Sequence, residues 1–143
     1  MPRPTESADL ILKLYELRRD PVLREARAWF IGEFNPTTYE EFTQALMSEK
    51  SGWVRMVMGY WNMAASLVVF EAIDQKMFNA SNGELLAAFC KVEPFLDQMR
   101  EQQPDNLRHL EQVARQFPDA ETRLPQLRER FRAMAAARKT QSS

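Results

Sequence analysis

Two residues stand out because each occurs once: His109 and Cys90. On a helix His109 has Asp105 and Val113 one turn away and Gln112 three residues on. A histidine four residues from an aspartate can be half of an acid–base pair, but the simpler expectation is a surface ion pair. Cys90 would need cationic surroundings to act as a thiolate, and Lys91 alone is thin support for that. A structural, partly buried thiol is expected. A Cys90–His109 dyad stays open, because such pairs meet only in the fold. One His and one Cys rule out HExxH, paired Glu-x-x-His motifs and a multi-cysteine zinc site, and neither GxGxxG nor GxxxxGK[ST] occurs. No catalytic, cofactor-binding or metal-binding residue is assigned. The chain reads more readily as a binding module than as an enzyme, and an enzyme hinging on His109 or Cys90 stays an alternative.

A third candidate is a pattern. The stretch SGWVRMVMGYWNMAASLVVFEAID, residues 51 to 74, is apolar on nearly every side. Its exceptions, Gly52, Arg55, Gly59, Asn62 and Ser66, step by three and four along one side. Such a stripe allows close backbone approach, and a buried Asn62 would fix register between two copies. A solvent-facing or loop-covered stripe in a monomer fits equally well. In an antiparallel pair centred near Met63, Arg55 would come level with Glu71 of its mate. Sixteen residues at about 100° each put those two on nearly opposite faces, so no ion pair is expected there.

Two other readings of this stretch are weaker. The uncharged run from Met56 to Phe70 is fifteen residues, about 22 Å of helix against a hydrocarbon core of about 30 Å, and Asn62 would sit near its middle. A membrane span is therefore not expected. A wall of Met56, Met58, Met63, Trp53, Tyr60 and Trp61 would suit a ligand cavity, but such side chains at helical spacing usually fill a core.

The elements that must position these residues are helical. Four Gly and abundant Ala, Leu, Met, Glu, Gln and Arg favour helix over sheet, and 143 residues suit one domain, residues 1–143. Nineteen basic against twenty acidic residues give no global drive toward nucleic acid or an anionic membrane. The single cysteine and a start without an apolar h-region fit the cytoplasm. Apolar periodicity gives a first helix from about Ala8, and a break at Asp20-Pro21 starts a second. Thr38 with Glu41 caps a third, and Ser51 caps the long fourth, whose apolar body is about 53–73. Asp74 caps a short turn, and Ser81 with Glu84 opens a helix that Pro94 kinks. Leu107 to Phe117 line the next, Pro118 ends it, and a last helix starts near Pro125. Residues 1–6 and 140–143 are expected to be disordered. The predicted fold class is all-α, a compact array of six to seven helices around the fourth, with the first two packed across it.

The last helix carries Arg123, Arg128, Arg130, Arg132, Arg138 and Lys139. This would suit a nucleic-acid backbone, but no aromatic is interleaved for stacking, and an ordinary solvated face explains it as well. The order WNMAASLVVFEAID, then KMF, then ELLAAFCKVEPFLDQMRE, resembles a bacterial all-helical family classed as a domain of unknown function. The resemblance rests on Ile73, Asp74, Phe78, Leu85 and Pro94 in the region from Trp61 to Leu96. It implies an all-helical fold and carries no activity or site residue. The expected function is a non-catalytic protein–protein interaction module, a homodimer through the central helix or the N-terminal pair. A small-molecule-binding or sensory domain and a nucleic-acid-associated protein are the alternatives.

Overall fold

A computed structural model describes residues 2–141. Helix α1 spans Pro4–Arg18, α2 Pro21–Gly32, α3 Tyr39–Leu46 and α4 Ser51–Val69. Then come α5 Gln75–Ser81, α6 Glu84–Val92, a 3-10 turn Glu93–Phe95, α7 Leu96–Met99, α8 Arg108–Arg115 and α9 Ala120–Gln141. The all-α class holds. The described residues divide into more segments than the six to seven expected because Gln75–Ser81 forms a helix of its own and Pro94 splits off α7.

Several boundaries follow from side chains that satisfy helix-end donors. Asp20 accepts from the Leu23 N–H at 3.0 Å with Pro21 as first helical residue, which turns the chain from α1 into α2. Thr38 caps α3 through Glu41 N–H, while the Glu41 carboxylate reaches back to Thr37 rather than to Thr38. Asp74 caps α5 through Met77 N–H. Pro94 cannot donate to the helical ladder, and the chain tightens to 3-10 there.

Other boundaries differ from the sequence reading. Helix α1 already starts at Pro4, inside the stretch expected to be loose, and Ser7 is buried where its hydroxyl accepts from Asp74 N–H. Thr140 and Gln141 are helical, while residues 1, 142 and 143 lie outside the described residues. Ser51 is the first residue of α4 and not its cap; its hydroxyl accepts from Arg55 Nε at 3.2 Å. Ser81 closes α5, and Gly83 precedes α6 without a side-chain cap, because Glu84 is drawn to Arg27. Helix α8 ends at Arg115, before Pro118, and α9 starts at Ala120 with Pro125 inside it.

Helix α4 sits at the centre. Val54, Val57, Tyr60, Trp61, Ala64, Ala65 and Val68 are buried against α8, α2, α3 and α6. Helix α1 departs from expectation: it lies mainly on α5 and α2, and reaches α4 where Tyr60 Oη donates to Leu14 O at 2.7 Å. Phe30, Phe42, Phe78, Phe89 and Trp61 are fully buried, each contributing roughly 1.5–3 kcal/mol by removal from water.

Candidate functional site

One face of α4 is left uncovered, and it is the face that carries the stripe. Gly52, Arg55 and Gly59 are exposed, and Asn62 and Ser66 are half-buried. A methyl group at Gly52 or Gly59 would meet nothing within 4 Å. The glycines therefore make no close contact among the described residues. The exposed apolar side chains fall in line with them. Met56, Met63 and Phe70 are 38%, 40% and 72% exposed, and positions 52, 56, 59, 63, 66 and 70 step four, three, four, three, four. At about 100° per residue these six fall within an arc of about 80°. Small residues at 52, 59 and 66 alternate with bulky ones at 56, 63 and 70. The signal was in the sequence, hidden because the whole helix is apolar.

Arg55 and Asn62 flank this line, facing an open groove bordered by Tyr39, Leu46, Met99 and Gln103. Asn62 is not free: its Oδ1 accepts from Leu110 N–H at 3.0 Å. Ser66 Oγ donates to Met63 O, and Phe70 meets the His109 ring edge-on at 5.3 Å. That contact replaces the expected His109–Asp105 ion pair, which does not form among the described residues.

Cys90 lies elsewhere, buried on α6, with its Sγ donating to Leu124 O at 3.6 Å. Burial, with Glu93 beside it, pushes the thiol up to about 12. A reactive thiol is held below its ordinary value, and Cys90 is held above it. The charged groups acting on it are Glu93, Arg128 and Lys91, and His109 is not among them.

Lys91 was the residue most underrated in the sequence. It is 4% exposed, and its Nζ donates to Ile31 O, Phe34 O and Asn35 Oδ1 at 2.6–2.9 Å, with the Phe131 ring centroid 3.8 Å away. It closes the C-terminal end of α2, where the last carbonyls lack helical partners and a cation is favoured. Burial pushes its ammonium down to about 7.

The Met and Trp wall considered for a ligand is divided: Met58, Tyr60 and Trp61 are core, while Trp53 packs beside Trp29 under Lys50. In α9, Arg128, Arg132, Arg138 and Lys139 pair with Glu93, Glu129, Glu33 and Glu41, as on a solvated face. No helix among the described residues is long and apolar enough to cross a membrane.

The model for the Domain of unknown function (DUF4760) matches residues 5–117. The chain belongs to the DUF4760 family. The match runs from α1 through Phe117, so the DUF4760 region holds α4 and its uncovered face, whereas α9 lies beyond it. No curated protein and no solved structure matches the chain.

Proposed function

We propose that this chain is a non-catalytic helical module acting through protein–protein contact, and that it forms a homodimer across the uncovered face of α4. The observation that carries this reading is the alternation of small and bulky residues along that face. Two copies of α4 laid antiparallel and crossing at residue 61 bring 59 opposite 63, 56 opposite 66 and 52 opposite 70. Each bulky side chain then meets a small residue of its mate. This is the knob-and-hole complementarity that close helix pairing needs, at the four-three spacing of a coiled-coil seam. An isologous twofold contact is self-complementary by construction.

The reading also gives a role to glycines that internal packing does not use. Exposed Gly in a helix interior, as at Gly59, costs roughly 0.5–1 kcal/mol relative to Ala, and among the described residues a methyl group at Gly52 or Gly59 would strike nothing. The test is solution mass by light scattering, across a dilution series, for wild type and Gly59→Leu. A wild-type dimer and a folded Gly59→Leu monomer are expected. A wild type that stays monomeric at every concentration overturns the homodimer.

A further inference from the structure

A cavity lies between α6, α9 and the loop from α2 to α3, away from the α4 face. Its volume is about 240 Å³, below the roughly 300–1,000 Å³ of sites for drug-sized ligands, so its occupant is small. Pro36, Pro94, Phe95 and Phe131 supply apolar walls. Lys91, Arg128 and Arg132 also line it, and among the described residues no carboxylate does.

The donors at this cavity are unevenly used. Lys91 spends its three N–H groups on Ile31, Phe34 and Asn35, so it has no donor left for a ligand. Because Asn35 gives its oxygen to Lys91, its Nδ2 is left buried without a partner. Buried polar groups are rarely left that way. Arg128 turns Nε to Glu93 and Leu124 O, and its two terminal nitrogens make no hydrogen bond among the described residues. An acceptor carrying negative charge would satisfy Asn35 and Arg128 together, and the rings and prolines need an apolar body attached to it.

We propose that this cavity binds a small monocarboxylate with a compact apolar body. The carboxylate oxygens take the Arg128 terminal nitrogens and Asn35 Nδ2, and the body packs against Phe95 and Phe131. Arg128 and Phe131 come from α9, which lies outside residues 5–117. The site is thus assembled by a helix that the family region does not include, and it does not depend on the homodimer.

The experiment is a titration of isotope-labelled protein with benzoate, followed by NMR, with benzamide and inorganic phosphate as parallel probes at constant ionic strength. Benzoate is expected to shift the Asn35 side-chain amide, Arg128 Nε and the Phe131 ring saturably in the millimolar range, with benzamide and phosphate weaker. Arg128→Gln, judged folded by circular dichroism, should weaken benzoate about tenfold, as expected for loss of one charge-assisted contact. Any of three results overturns the site: no saturable shift with benzoate, benzamide binding as well as benzoate, or phosphate doing so. Benzoate shifts that map outside the cavity, or that survive Arg128→Gln unchanged, also overturn it.

Discussion

Asn62 of α4 caps α8 by accepting the Leu110 N–H at 3.0 Å. Leu107, at the cap position, has φ 57° and no side chain able to accept, so the first turn of α8 borrows its acceptor from another helix. Asn62→Ala is expected to lower unfolding free energy by about 0.5–2 kcal/mol, the usual range for a lost cap. Asn62→Asp should retain most of it, since a carboxylate accepts the same bond and suits the positive end of a helix. Urea denaturation of the three proteins decides the matter; an Ala variant as stable as wild type would show that the bond contributes nothing.

Gly59→Ala should stabilise the folded chain by up to about 1 kcal/mol, because Ala is the better helix former and its methyl group meets nothing within 4 Å. The comparison is best made by thermal melting at low protein concentration. Circular dichroism and a melt of Gly59→Leu itself separate loss of the interface from unfolding.

Cys90 should resist alkylation in the native protein. Its thiol is buried and held up to about 12, leaving almost no thiolate at neutral pH. Iodoacetamide at pH 8 should react at the rate set by unfolding, rising steeply with urea. Stoichiometric labelling of folded protein within the time taken by a free thiol would contradict this.

Lys91 should make stability rise with pH above neutrality. Its folded-state value is pushed down by burial to about 7 from an ordinary 10.5, so between those values the unfolded chain binds the extra proton. Stability therefore increases as pH climbs through 7, by up to about 1.4 kcal/mol per pH unit for one proton. The penalty for burying the charge is fully present below pH 7. Cys90 works in the opposite direction, but only above its ordinary value near 9, so the window from pH 7 to 8.5 isolates Lys91. The stability difference between wild type and Lys91→Met, measured by urea denaturation across that window, should shift in favour of wild type as pH rises. A flat difference would mean that Lys91 stays fully protonated.

Local features were legible wherever they depended on neighbours in sequence. The caps at Asp20, Thr38 and Asp74 and the break at Pro94 act within four residues, and each formed as its spacing implied. Ser51 and Ser81 carried the same signal and failed: the Ser51 hydroxyl goes to Arg55 one turn on, and a tertiary partner, Arg27, takes the Glu84 carboxylate from Ser81. The candidate residues divide likewise. The stripe on α4 was visible as a periodicity, but which residues shared its exposed line was not, since an all-apolar helix gives no internal clue to the side its neighbours leave bare.

The sequence by itself determined that this chain is all-helical, that its fourth helix is central, and that one side of that helix is small and polar. Those properties follow from composition and period, which act along one element. Only the tertiary structure decided that Asn62 serves α8, that Lys91 closes α2, that His109 rests on Phe70, and that α9 lies over Cys90. Each of these contacts joins residues from 34 to 60 positions apart, and no local preference specifies which distant carbonyl, ring or amide a side chain will meet once the core has closed.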